Sequence, residues 1–180
     1  MVYILLATGF EEMEAIAPLD ILRRAGIPAA TVGVNGEVIT GGHGIAVTAD
    51  MTISQMDLTD MDMIVLPGGL GGVASILASQ QALDAVTFAW ENGRYVAAIC
   101  AAPTILSRLH ITDGKTVVCY PGCEAEMENI GALSDLACVQ DGKVITGTSA
   151  GCATAFGLAL VAALKTEAAA KEIAAKLVIR

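Results

Sequence analysis

Tyr95-Val-Ala-Ala-Ile-Cys-Ala-Ala-Pro-Thr104 is the stretch on which the reading of the whole chain turns. Tyr95 to Ile99 reads as a short buried strand, and Cys100-Ala-Ala-Pro103 bends at once into the apolar helical run Thr104-Ile-Leu-Ser-Arg-Leu109. Pro103 suits the first turn of a helix, where its missing N–H costs nothing. Only small neighbours allow so sharp a bend, and Ala98, Ala101 and Ala102 supply them. A cysteine at the tip is held away from the sheet, with the free N–H groups and positive dipole end of the following helix aimed at its sulfur. That setting predicts a preference for thiolate over thiol and makes Cys100 a candidate nucleophile. Free cysteine otherwise packs as a small buried hydrophobe, so the rest of the chain must carry the assignment.

Outward from this elbow, apolar strand-like runs alternate with helical patterns. The strands fall at Val2–Ala7, Ala29–Gly33, Met63–Leu66, Tyr95–Ile99 and Thr116–Val118, and the main intervening helices at Glu12–Ala25, Val73–Asn92 with a possible break, and Pro103–Leu109. Such alternation predicts βαβ units in one α/β domain with a mostly parallel, doubly wound sheet. Two hairpins are added: Val38–Thr48 about Gly41-Gly42, and Leu136–Thr146 about Asp141-Gly142, a pair suited to a type I′ turn. Helices near Gly151–Leu164 and Glu167–Leu177 close the chain. Pro18 is expected to kink the first helix or to mark its true start.

The 180 residues fit a single domain with a substantial core, and 54% hydrophobic against 16% charged residues suits a sheet buried on both faces. The longest apolar run, Cys152 to Leu164, is too short to span a bilayer, and the N-terminus enters a strand without a basic leader, so a cytoplasmic protein is expected. A formal charge of −9 disfavours nucleic acid and anionic membrane surfaces as partners. Five cysteines, at 100, 119, 123, 138 and 152, are odd in number and show no CxxC spacing, which argues against a disulfide framework. Cys119 and Cys123 lack the further ligands that a tetrahedral metal site needs and read as structural; no metal or cofactor is expected.

In a doubly wound sheet the ligand site lies outside the carboxyl ends of the strands. Three loops there are chemically unusual: Thr8-Gly-Phe-Glu-Glu-Met-Glu14, Pro67-Gly-Gly-Leu-Gly-Gly72 and the Cys100 elbow. Glu11, Glu12 and Glu14 could all serve the dipole of a first helical turn, and spacing does not say which would face Cys100. Gly69-Leu-Gly-Gly-Val-Ala74 fits the relaxed dinucleotide pattern G-x-G-x-x-A but stands after the third strand, without an acid at the required spacing. Close backbone approach explains it better, with the Gly69 N–H free to hold a developing oxyanion beside Cys100. Gly147-Thr-Ser-Ala-Gly151 fits the serine-hydrolase elbow, but that fold needs a histidine after the serine, and both His43 and His110 precede it. His110 would lie about 15 Å from Cys100 along a continuing helix, and His43 reads as a solvated loop residue unless a second subunit brings it close. A carboxyl, its pKa raised by burial, is therefore the expected proton carrier for the thiol.

Taken together, Gly9-Phe-Glu-Glu-Met-Glu-Ala-Ile-Ala-Pro-Leu-Asp-Ile-Leu-Arg-Arg-Ala-Gly26, Val65-Leu-Pro-Gly-Gly69 and Ala97-Ala-Ile-Cys-Ala-Ala-Pro103 resemble the signature blocks of the ThiJ/PfpI superfamily, in the branch of the human parkinsonism-associated protein. The resemblance runs in order to Thr146-Gly-Thr-Ser-Ala-Gly151. It implies a flavodoxin-like three-layer sandwich, a homodimer, Cys100 as nucleophile, Glu14 as its hydrogen-bonded carboxyl, and the Gly69 and Ala101 amides as the oxyanion site. Gly68, Tyr120 and His43 are candidate pocket residues. Tyr120 stands before Pro121 where many relatives carry a histidine. The implied activity is cofactor-independent conversion of reactive dicarbonyls such as methylglyoxal, or deglycation of early adducts. A redox sensor or stress chaperone acting through oxidation of Cys100 is the alternative, and an amidase or peptidase a third.

Overall fold

The structure, a computed structural model, describes residues 1–179. Its central sheet has the order β10-β11-β7-β6-β1-β2-β5. These strands are β1 (Val2–Leu6), β2 (Ala29–Gly33), β5 (Met51–Thr52), β6 (Met63–Leu66), β7 (Tyr95–Ile99), β10 (Cys138–Asp141) and β11 (Val144–Gly147). Every neighbouring pair is parallel except β10–β11. The helices are α1 (Glu12–Arg24), α2 (Leu70–Leu77), α3 (Gln80–Glu91), α4 (Pro103–Arg108), α5 (Ala153–Leu164) and α6 (Glu167–Lys176).

Side chains on the central strands alternate between two cores, as the period of an extended chain requires. Tyr3, Leu5, Ile64, Leu66, Val96 and Ala98 pack with residues of α2, α3 and α4. Val2, Ile4, Met63, Val65, Ala97 and Ile99 pack with α1, α5 and α6. The result is the flavodoxin-like three-layer sandwich. Among the described residues, no helix is long and apolar enough to cross a membrane.

Three details depart from the sequence reading, and a fourth settles the break it left open in the long helix. Thr116–Val117 (β8) does not join the central sheet but pairs in parallel with Ala132–Leu133 (β9). The place beside β7 belongs to β11, to which this segment is tied by the Val118 N–H on Thr146 Oγ1 at 2.9 Å. In the second hairpin Asp141 still pairs, with Val144, so the turn is Gly142-Lys143. Only Gly142 has a positive φ, +63°, whereas a type I′ turn would need it at both positions. The first hairpin, β3 (Val38–Thr40) with β4 (Ala46–Thr48), turns through 41–45 rather than on Gly41-Gly42 alone. The long helix breaks at Ala78-Ser79, where the Ser79 hydroxyl caps α3 by accepting from the Ala82 N–H.

Pro18 lies inside α1 without ending it. It sits against α5, where a Cβ on Gly157 would come within 2.9 Å of Ile21 Cδ1 and 3.0 Å of Pro18 Cα. Gly157→Val should therefore wedge α1 from α5 and cost about 1–3 kcal/mol. The expected reading is a lower urea midpoint with an unchanged slope, and an unchanged midpoint would refute this packing.

Candidate active site

The chain runs outward from β1 to β2 and then crosses back to build β6, β7 and β11 on the other side of β1. The loops leaving β1 and β6 therefore diverge at a topological switch point, where open α/β sheets leave a crevice. The loops after β1, β6, β7 and β11 leave four adjacent strands and meet around one cavity of about 490 Å³.

Cys100 follows β7 directly and has φ +66°, a left-handed conformation that a residue with a Cβ rarely adopts. Its backbone is clamped on both sides: its N–H donates to the Gly147 carbonyl at 2.9 Å, and its carbonyl accepts from the Tyr120 N–H at 2.7 Å. Thr104 Oγ1 donates to the Ala101 carbonyl at 2.7 Å, which closes the turn into α4. The thiol is half-buried and turns into the cavity.

Glu14 reaches the thiol from the third position of α1 and is fully buried. Its Oε2 accepts from the Gly68 N–H at 2.8 Å. Oε1 has no partner of good hydrogen-bond geometry, and the Cys100 thiol lies beside the carboxyl. A Cβ on Gly68 would sit 2.6 Å from Oε2 and 2.7 Å from Cys100 Cβ, so only glycine lets this carboxyl and thiol meet. Gly68 thus backs the site rather than lining it. Gly69, at φ +83°, closes a backbone-to-backbone contact in which a Cβ would meet Phe10 and the Glu11 nitrogen. The Glu11 N–H donates to the Gly68 carbonyl across the same contact. The glycine run therefore seats the loop of β1, where a dinucleotide reading would have put phosphate.

The Gly69 and Ala101 N–H groups both point at the Cys100 sulfur and pull its pKa down. They are outweighed by burial and by the Glu14 charge, which push the thiol up to about 12. Burial likewise raises Glu14 to about 7, against the pull of its hydrogen bonds from Cys100 and Gly68. The thiolate preference expected from sequence is thus reversed. The helix behind Cys100 has only six residues and begins at Pro103, and an acid lies closer than its dipole. An ionised Glu14 thus opposes ionisation of the thiol beside it.

The three acids of the first loop divide. Glu12 turns away and holds the first hairpin, accepting from the His43 N–H at 2.9 Å and the Ile45 N–H at 3.3 Å through Oε1. Its Oε2 meets His43 Nδ1 at 2.9 Å. Burial pushes Glu12 up, but these hydrogen bonds prevail and leave it below the ordinary carboxylate range; the same contact, with the charges of Glu11 and Glu12, raises His43. His43 is exposed and does not line the cavity. Glu11, Glu12 and His43 bring ligand atoms within 4.8 Å of one another, the one set among the described residues close enough to hold a cation. His43 already satisfies the Glu12 carboxylate there.

Glu11 faces the cavity, as do Leu70 and the half-exposed Tyr120. So do Ser149, Ala150 and Gly151. The elbow-like motif rejected as a serine nucleophile is thus a wall of the cysteine cavity. Sequence reasoning weighed Glu11 only as one of three equivalent acids and Ser149 only as a nucleophile, and it passed over Leu70. The adjacency of β11 to β7 was the signal for Ser149, and it becomes visible only once strand order is known. His110 lies beyond the end of α4, exposed and 3.2 Å from Asp113. Cys119 and Cys123 are buried in the apolar core.

Known proteins share this fold. The chain is 34% identical to Protein dj-1beta of Drosophila melanogaster over 98% of its own length and 95% of that protein's. The crystal structure of that relative superposes with a TM-score of 0.94, covering 99% of this chain and 97% of the other. The Parkinson disease protein 7 homolog of Danio rerio is 30% identical, with 98% and 96% covered. Toxoplasma gondii DJ-1, in an oxidized form, superposes with a TM-score of 0.93 at 29% identity, covering 98% and 97%. The sequence pattern of the DJ-1/PfpI family matches residues 1–163, and the chain belongs to that family.

Proposed function

We propose that the chain is a cofactor-independent enzyme that converts reactive dicarbonyls of the methylglyoxal type to hydroxy acids, or removes their early adducts. The observation that carries this reading is a buried carboxyl, raised to about 7, pressed against a cysteine thiol with no histidine beside them. Glu14 ionised takes the thiol proton as the sulfur adds to the aldehyde carbon, so the C=O π pair becomes an alkoxide. The Gly69 and Ala101 N–H groups hold that oxyanion, and Glu14 returns the proton to it. The carboxylate then removes the proton from the former aldehyde carbon to give an enediolate, the hydroxyl proton passes to the neighbouring oxygen, and Glu14 delivers the carbon proton to the adjacent carbon, leaving a hydroxyacyl thioester. Water cleaves the thioester, releasing the hydroxy acid and the thiol. Each turnover consumes one dicarbonyl and one water, with no net oxidation.

The second reading is peroxide sensing through Cys100. In support, the Gly69 and Ala101 amides and the Glu14 carboxyl surround the sulfur, where a sulfinate's oxygens would need donors, and Toxoplasma gondii DJ-1 was solved oxidized. Both readings use the same sulfur, and oxidation would place it on the sulfenic-to-sulfinic ladder. The homodimer belongs to the same proposal: α1 leaves Met13 and Ile16 exposed beside the site. Sedimentation at micromolar concentration is expected to give twice the monomer mass.

Methylglyoxal should give lactate with the native protein and none with Cys100→Ser. Glu14→Gln is expected to lower turnover at least about 100-fold, and undiminished turnover would sink the proton-shuttle assignment. Because Glu14 must start ionised, kcat/KM should rise with pH through about 7 in the native protein. A flat profile across that range would remove Glu14 from the first step. Intact mass after mild peroxide should show two added oxygens on Cys100 if the second reading holds; their absence rules it out.

A further inference from the structure

We infer that Glu11 is the specificity-determining residue of the Cys100 cavity: its carboxylate confines the site to neutral or amine-bearing carbonyl compounds and excludes those carrying a carboxylate, such as 2-oxo acids. The inference rests on the dicarbonyl reading but names the substrate class through a charge that is independent of it. Two acids, Glu11 and Glu14, line the cavity, and among the described residues of the chain no lysine, arginine or histidine does. The Glu11 side chain is 18% exposed, partly screened from water, and its charge is felt at Glu14.

The nearest cationic group is His43, whose Nδ1 lies 3.5 Å from Glu11 Oε2. It stands outside the cavity, is 69% exposed, and is closer to Glu12, at 2.9 Å. The two amides at the sulfur accommodate one oxyanion, the one made from the reacting carbonyl. A second anionic group on the substrate would find only the neutral side chains of Tyr120 and Ser149, and would be desolvated beside a like charge. A protonated amine at the same place would gain from Glu11.

The test uses two alkylating reagents of nearly the same shape, iodoacetamide and iodoacetate. Each forms a carbon–sulfur bond as iodide leaves, and each needs the same thiolate, so their rate ratio reports charge and not ionisation or access. The ratio at Cys100, read by peptide mass and divided by that of N-acetylcysteine, should favour the amide in the native protein. Glu11→Gln should shrink that excess by about threefold to tenfold. Raising the salt concentration on the unmutated protein should shrink it too, which keeps the test decisive if the variant does not fold. A native ratio equal to that of N-acetylcysteine, or one unmoved by both changes, overturns the inference. A second arm compares turnover of methylglyoxal and glyoxylate. Failure of both substrates counts against the dicarbonyl reading and leaves the alkylation ratio to judge Glu11.

Discussion

A carboxyl buried without a cation beside it is the constraint around which the site is assembled. Leaving an isolated carboxylate in such a place costs several kcal/mol or more unless it is protonated or hydrogen-bonded. Here one amide and one proton meet the need: the Gly68 N–H bonds Oε2, and a pKa of about 7 keeps the neutral form populated at physiological pH. The local sequence follows from that arrangement. Gly68 carries no side chain because one would occupy the space of the carboxyl and the cysteine. Gly69 is left-handed so that the loop after β6 can lie against the loop after β1. Both loops leave strands on either side of the switch point, so the sheet topology supplies the crevice and the glycines close it.

The three acids of the first turn of α1 show how position converts one residue type into three chemistries. Glu12 is a bracket, holding the 41–45 loop through two amides and an imidazole. A Cβ on Gly41 would run into its carboxyl, so the bracket is as tightly fitted as the site itself. Glu14, two residues on, is buried against the Cys100 thiol. Glu11 contributes charge to the cavity without bonding the cysteine. The helix dipole favours acids at all three positions and distinguishes none of them.

That is also where legibility in the sequence stopped. The central strands, their burial on both faces and the sharp turn at Cys100 could be read from alternation and small-residue patterns. Each depends on local sequence, and the hydrophobic effect enforces it over many residues. What failed depended on contacts between distant segments. Thr116–Val117 has the composition of a strand, but the edge it would have joined is taken by β11, and no local pattern reports that competition. The Asp141-Gly142 turn slipped by one residue because the pairing of Asp141 with Val144 fixes the register. The state of the thiol was misjudged in sign for the same reason: a helix behind it is visible in sequence, and an acid arriving from 86 positions earlier is not. Glu14 was selected only through the resemblance, since spacing left the three acids equivalent.

Cys100 also sits where its own backbone resists it. A left-handed φ of +66° in a residue with a side chain costs on the order of 1 kcal/mol, and the bonds to Gly147 and Tyr120 hold it there regardless. Glycine would occupy the same angles without that strain. The relaxed form of this elbow is thus a form without a thiol, and selection for stability alone would remove the cysteine. Wherever the cysteine is retained, something other than folding must be keeping it.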